Sequence, residues 1–270
     1  MSESKRQKLS SGSSHTPIYH LIYWPDIPGR GEFVRLAFEA AGTAYLDVSN
    51  ASSAGVKPVL SLISDKHVGD DVGNPPIFAP PALKIVDGKG EGKDLLIHQT
   101  PNILAYLGER LGLIGEEEGD KYHVSQVALT ALDLCDECHD THHPVSVVKY
   151  YAEQKEEALK KAEDFRASRI PKFFGYFERV LKSNESEAKG KYLVGSKLTY
   201  ADTTVWQVVN GVSYAFPKEV EARKKDYPLL FETFYPGIQE EKGIKQYLAS
   251  DRRLSYSDGI FRHYPELDQQ

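Results

Sequence analysis

The sequence predicts a mixed α/β unit followed by an all-helical one. Three observations carry that reading. Short runs rich in β-branched and aromatic residues, the mark of strands, stop before about residue 114. Beyond residue 120 the apolar residues recur mostly at helical spacing. Between the two lies Gly115-Glu116-Glu117-Glu118-Gly119, a polar linker without one apolar side chain. The domain division is therefore a tail over 1–16, a first unit over 17–114 with an insertion at 49–80, a helical unit over 120–254, and an extension over 255–270.

In chain order, residues 1–16 hold only Met1 and Leu9 as larger apolar side chains, so no export signal is expected and the stretch reads as a disordered tail. Its Lys5-Arg6-Gln7-Lys8 cluster leaves nuclear import as an alternative role. Ile18 to Tyr23 reads as a strand, stopped by Pro25 and Pro28. Glu32 to Ala41 reads as a helix, with Phe33, Leu36, Ala37 and Ala40 on one face. Tyr45 to Val48, Ala82 to Val86 and Asp94 to Ile97 are three more strands, the last two joined by Asp87-Gly88-Lys89-Gly90. The polar segment between Ser49 and Pro81 is an insertion loop with one short helix at Lys57 to Ser64. Thr100 to Leu111 is helical, with Thr100 as N-cap and Pro101 at the first helical position. Further helices are expected over Tyr122–Asp140, Val145–Leu181, Tyr200–Tyr214 and Tyr227–Leu248. Thr199 and Asp202 have the spacing of a capping box at the start of the third.

Charge and cysteine usage exclude several classes of function. With 39 acidic and 33 basic residues the chain carries a net charge of −6, which argues against a surface that tracks nucleic-acid phosphates. The longest apolar run, Ile103 to Leu107, is far short of the roughly 20 residues a spanning helix needs, so no membrane partner is expected. Two cysteines cannot make a disulfide framework and point to a reducing, cytoplasmic compartment.

Four local features bear on chemistry. Tyr23 ends a strand and is followed by Gly29-Arg30-Gly31-Glu32 opening a helix, which brings a phenol near the free N–H groups of a helix start. Such a hydroxyl is able to hold a thiol ionised, or simply to pack. Pro81, entering a strand behind Pro80, is a candidate cis-proline that would expose the backbone of residue 80 to a peptide ligand. Gln99 and Thr100 at a helix start offer an amide, a hydroxyl and spare N–H groups to a carboxylate and its neighbouring amine. Cys135-Asp136-Glu137-Cys138-His139 matches a haem-attachment pattern. Zinc through Cys135, Cys138 and His142, with His143 as fourth ligand, is the competing metal reading. Val127, Leu132 and Leu134 in the same stretch favour an ordinary packed helix, so no metal is expected there.

Taken in order, Tyr19-His20-Leu21-Ile22-Tyr23-Trp24, Gly29-Arg30-Gly31-Glu32, Pro81-Ala82-Leu83, Gln99-Thr100 and Leu198-Thr199-Tyr200-Ala201-Asp202 resemble a cytosolic glutathione transferase of the tyrosine type. The sigma, mu, alpha and pi classes are the most similar, and the chain resembles a fungal-type variant of them. The resemblance spans about Ile18 to Leu254. It implies a thioredoxin-like domain followed by a helical domain, a homodimer, glutathione as co-substrate and a role in detoxification. It makes Tyr23 the catalytic tyrosine at the glutathione sulfur and Arg30 its supporting arginine. Pro80, Pro81, Gln99 and Thr100 become glutathione-binding residues, and Asp133 the acid that reaches the γ-glutamyl amine across the dimer. Trp24, Tyr150, Tyr151 and Tyr214 are assigned to the walls of a hydrophobic pocket, with core packing as the alternative.

Two departures stand against the family pattern. Pro80 has no N–H, so one of the paired bonds to glutathione is missing, a loss of about 0.5–1.5 kcal/mol. No tryptophan lies between Ser49 and Pro81, which leaves Lys57, Lys66 or His67 for the glycyl carboxylate. The expected activity is thiolate attack on a hydrophobic electrophile. A glutathione-dependent isomerase, of the prostaglandin-D-synthase or biosynthetic tailoring type, and a non-catalytic module are the alternatives.

Overall fold

The computed structural model describes residues 18–51, 54–86 and 92–269. The tail with its basic cluster and the turn at 87–90 lie outside the described residues. Four strands, β1 (Ile18–Ile22), β2 (Leu46–Asp47), β3 (Ala82–Val86) and β4 (Leu95–His98), form one sheet in the order β2-β1-β3-β4. β1 runs parallel to β2, with His20 opposite Leu46, and antiparallel to β3, with Leu21 opposite Leu83. β3 and β4 are antiparallel, with Leu83 opposite Ile97. The helices of this half are α1 (Gly31–Ala41), the short α2 (Val48–Ala51) and α3 (Lys57–Leu62), and α4 (Thr100–Leu111).

The two-residue period of β1 and β3 divides the sheet's faces. Leu21 and Leu83 point into the main core with Phe33, Leu36, Ile103 and Leu107 of α1 and α4. Ile22 and Ala82 point to a smaller cluster with Val59, Ile77 and Leu96. The result is a thioredoxin-like sheet. β2 is shorter than expected because the chain turns into α2 at Val48, where Asn50 donates to Asp47 Oδ2 at 2.9 Å and accepts from Asp26 N at 2.9 Å. The loop leading to β3 is tied down by Asn74, whose amide donates to the Asp94 carbonyl and accepts from Leu96 N, both at 2.9 Å.

The second half is wholly helical among the described residues: α5 (Asp120–Asp140), α6 (Lys155–Asp164), α7 (Ile170–Ser183), α8 (Glu185–Ala188), α9 (Tyr200–Ala215), α10 (Pro217–Arg223), α11 (Tyr235–Gln239) and α12 (Lys242–Leu248). α9 runs through its centre, burying Trp206, Val205, Val208, Val209 and Val212. Asp202 sits at the third position of α9 and accepts from Thr199 N at 2.7 Å, Thr199 Oγ1 at 2.8 Å and Leu193 N at 2.8 Å.

Two long helices of the sequence analysis are each broken. Residues 145–149 are not helical: buried Gln154 accepts from Val145 N and Ser146 N and donates to the Ser146 and Lys149 carbonyls, which offers that backbone an alternative to a helix. Phe165–Arg169 and Leu229–Phe234 are wider π-helical turns. Each is followed within two residues by a proline, Pro171 or Pro236, whose missing N–H cannot bond the carbonyl four residues back.

The halves are joined by a buried charge network. Arg35 Nε donates to Asp47 Oδ2 at 2.7 Å, and Arg35 Nη1 to Glu32 Oε2 and the Pro28 carbonyl, both at 3.1 Å. The other oxygen of Glu32 accepts from the Tyr247 hydroxyl at 2.8 Å and from Arg253. Two carboxylates thus face two guanidiniums, which neutralises charge that burial would otherwise penalise. The extension runs back over the molecule. Phe261 packs where Gly211 has no Cβ, Asp268 accepts from Lys218 N and Glu219 N at the start of α10, and Gly259 lies beside Gly29.

Candidate functional site

Tyr23 follows β1 directly and its ring lies on the backbone that opens α1. A Cβ at Gly31 would stand 2.7 Å from the Tyr23 ring, and one at Gly29, where φ is +44°, would collide with the hydroxyl. Only glycine leaves room for the ring at these two positions. The hydroxyl accepts a hydrogen bond from Arg30 N at 2.8 Å. Burial pushes the phenol's pKa up, against the Arg30 N–H and the Arg30 and Arg35 charges. Tyr23 therefore keeps its proton at neutral pH. With a lone pair occupied by Arg30 N–H, that proton is free to be donated elsewhere.

Arg30 reaches from the start of α1 to pair with Asp136 on α5 and forms one edge of a cleft of about 350 Å³ between the halves. The cleft is also lined by Phe78, Pro80, Pro81, Gln99, Thr100, Leu129, Leu132, Asp133 and Asp136. The structure thus brings together Arg30, Pro80, Pro81, Gln99, Thr100 and Asp133. Tyr23, 5% exposed, lies behind Arg30 and does not itself line the cleft. The Pro80–Pro81 bond is cis.

Gln99, not Thr100, is the cap residue of α4, so Thr100 is the first helical residue. Gln99 sits at φ 72°, ψ 117°, a backbone region that costs a non-glycine residue about 1–3 kcal/mol. Its side chain is exposed toward the cleft. Thr100 is 1% exposed and its hydroxyl has no hydrogen-bond partner in the protein. A strained residue beside an unpaired hydroxyl and the free N–H groups of a helix start is arranged to receive an anion. Asp133 enters the cleft from the same chain as Gln99 and Thr100, whereas the resemblance assigns it to the neighbour's site.

The remaining predicted residues fall elsewhere. Trp24 is half-buried against the smaller cluster with Ile22 and Val59. Tyr150 is exposed, Tyr151 stacks on Tyr264 at 3.9 Å and donates to Glu266, and Tyr214 stacks on Tyr256 at 4.7 Å. These four, with Lys57, Lys66 and His67, stand apart from the cleft lining. Sequence reasoning passed over Phe78, Leu129, Leu132 and Asp136. Three of these had a signal: with Asp133 they recur at three- and four-residue intervals along one stripe of α5.

Cys135 and Cys138 are free and fully buried, and burial pushes the Cys135 thiol up to about 12 and Cys138 well above its ordinary value. Among the described residues, the group able to hold a metal is instead His139, His142 and His143 at the end of α5. Burial lowers the pKa of all three, His142 to about 3 and His143 to about 4, so the imidazoles are neutral at pH 7.

Comparison with known proteins agrees with the fold. Residues 139–251 match the model of the glutathione S-transferase C-terminal domain. The chain is 24% identical over 238 residues to a glutathione S-transferase of Plasmodium falciparum, spanning 87% of this chain and 98% of that protein. It is 28% identical over 241 residues to glutathione S-transferase Mu 2 of Rattus norvegicus, spanning 87% and 92%. The solved sigma-class GST of Fasciola hepatica superposes with a TM-score of 0.65 at 18% identity, covering 89% of this chain and 98% of that one. The protein is glutathione-transferase-like. Its relatives include mu-class enzymes, and it shares its fold with a sigma-class one.

Proposed function

We propose that the protein is a glutathione transferase of the tyrosine type, acting on a hydrophobic electrophile. The observation that carries the reading is the Tyr23–Arg30 corner: a protonated, buried phenol whose acceptor side is filled by Arg30 N–H, at the edge of a cleft Arg30 itself lines. Glutathione lies in that cleft with its γ-glutamyl carboxylate at Thr100 and Gln99 and its amine at Asp133. Its cysteinyl part pairs with the Pro80 carbonyl, without the N–H that proline lacks. The sulfur then rests at the Arg30 edge of the cleft, and a shift of the Arg30 side chain opens the Tyr23 hydroxyl behind it, so that a donated hydrogen bond and a nearby guanidinium favour thiolate over thiol. The thiolate is a strong nucleophile, so the protein supplies ionisation and proximity rather than covalent chemistry of its own.

The same reading makes the protein a cytoplasmic homodimer. Phe78 is 85% exposed and Leu129 46%, both at the rim of the cleft, and an apolar rim of this kind is suited to a second copy. Glutathione titration by calorimetry, combined with thiolate absorbance of the complex, tests the whole assignment. Binding with a thiol pKa below that of free glutathione supports it; binding without ionisation favours a non-catalytic module. A glutathione count unchanged at turnover identifies an isomerase instead.

A further inference from the structure

We propose that His139, His142 and His143 form a site for one borderline divalent cation of the zinc class, held by three imidazole nitrogens with a fourth position open. The ligating nitrogens all lie within 4.8 Å of one another, and the closest pair, His142 Nδ1 and His143 Nδ1, is 2.6 Å apart. Zinc–nitrogen bonds of about 2.0–2.1 Å in a tetrahedral site place ligand atoms about 3.3 Å apart. The two Nδ1 atoms must therefore part slightly, and the partly exposed His139 ring, stacked on His143 at 4.7 Å, must turn out of that stack to aim its nitrogen at the ion. The backbone carrying them is fixed: Thr141 Oγ1 donates to the Cys138 carbonyl at 2.7 Å and His142 N to the His139 carbonyl at 3.2 Å.

The outer contacts also suit a metal. His142 Nε2 lies 2.8 Å from the Ile260 carbonyl, which only accepts, so Nε2 carries the proton and Nδ1 keeps its lone pair. The proton between the two Nδ1 atoms then belongs to His143. A bound cation takes its place, and His143 becomes the Nε2-protonated tautomer, with no net proton released. His142 and His143 are buried, while His139 is partly open to solvent and provides the entry side. The charged groups facing the cluster are Asp136, Asp140 and Arg262. Arg262 is turned onto the Gly259 and Asp258 carbonyls at 2.9 and 2.6 Å, and Asp136 is paired with Arg30. The buried cysteines lie outside this set, so the site is not the zinc reading considered from the sequence.

The test uses the full chain without an affinity tag, titrated with Zn²⁺ alone by calorimetry and with Co²⁺ alone by visible absorbance. One zinc per chain is expected, with cobalt bands of a nitrogen-rich, low-coordinate site. His139→Gln and His143→Gln should each weaken zinc at least tenfold, while Cys138→Ala leaves it unchanged. Circular dichroism of the His139 variant, which alters a partly exposed side chain, confirms that the fold persists. Absence of saturable zinc binding, or parental affinity in either histidine variant, overturns the proposal.

Discussion

Tyr23→Phe separates the two roles of the phenol. The ring keeps its seat over Gly29 and Gly31, and only the oxygen is lost. A hydrogen bond to a charged acceptor contributes about 1.5–3 kcal/mol, and 1.36 kcal/mol is one pKa unit, so the bound thiol should ionise about one to two units below its free value. A thiol of pKa about 8.5 is about 3% ionised at pH 7, and the shifted one about 24–76%. The Phe variant should therefore lose roughly eight- to twenty-five-fold in kcat/KM at pH 7, with KM for glutathione nearly unchanged. The sign with pH follows from the same numbers. The parent's advantage is largest below the free-thiol pKa and fades above about pH 9, where the thiolate forms unaided. Removing the oxygen also leaves Arg30 N–H without its acceptor. In this part-buried position that costs about 1 kcal/mol and lowers Tm by about 2–4 °C. A pH–rate profile with a chromogenic electrophile, run beside a melting curve, reads both effects. A Phe variant matching the parent across the profile would refute Tyr23 as the donor and leave Arg30 or a backbone N–H as the activating group.

Replacing Gln99 and Thr100 together by Ala should raise the glutathione Kd at least tenfold, about 1.4 kcal/mol, and unchanged calorimetric affinity would place the ligand elsewhere. Sedimentation equilibrium at micromolar concentration should give a dimer, and Phe78→Glu should shift it toward monomer; a monomeric parent contradicts the homodimer. Thiol titration with an aromatic disulfide at pH 8 should find neither cysteine reactive in the native protein and both reactive in denaturant, since burial holds both thiols protonated. Asp202→Ala strands the Leu193 and Thr199 N–H groups in the core and should cost about 2–4 kcal/mol, seen as a lower denaturation midpoint with little change in glutathione affinity.

Most of the framework is legible in the chain because local patterns agree with what packing requires. α1, α4 and α9 follow from apolar residues at helical spacing, and β1 and β3 from short apolar-rich runs whose two sides meet the two faces of the sheet. The breaks near residues 145–154 and 229–236 follow from longer-range facts. One is the four hydrogen bonds of a single buried glutamine; the other is a wide turn that makes room for Pro236, which helical periodicity alone does not exclude. Arg30, Gln99, Thr100 and Asp133 could be listed from motifs, but their convergence on one cleft depends on how α5 lies against the sheet. The positive φ of Gln99 has no residue-level signal, since glycine is the usual occupant of such a position. Glu32 and Arg35 pair locally, three apart on α1, yet Glu32's other partners, Tyr247 and Arg253, lie beyond any local pattern.

That separation sets an order of events during synthesis. Tyr247 follows Glu32 by 215 residues and Arg253 follows it by 221. At about 5–20 residues per second, roughly 10–40 s pass between their departures from the ribosome. Through that interval Arg35 already has Asp47 and Glu32, but Glu32 on α1 lacks the two late partners of its second oxygen. The early half therefore holds an incompletely neutralised Glu32 until the last helices emerge. A chain terminated after α11 would never leave that state, so the sheet unit is not expected to be recoverable as an independent fragment even though its strands and helices are all encoded within it.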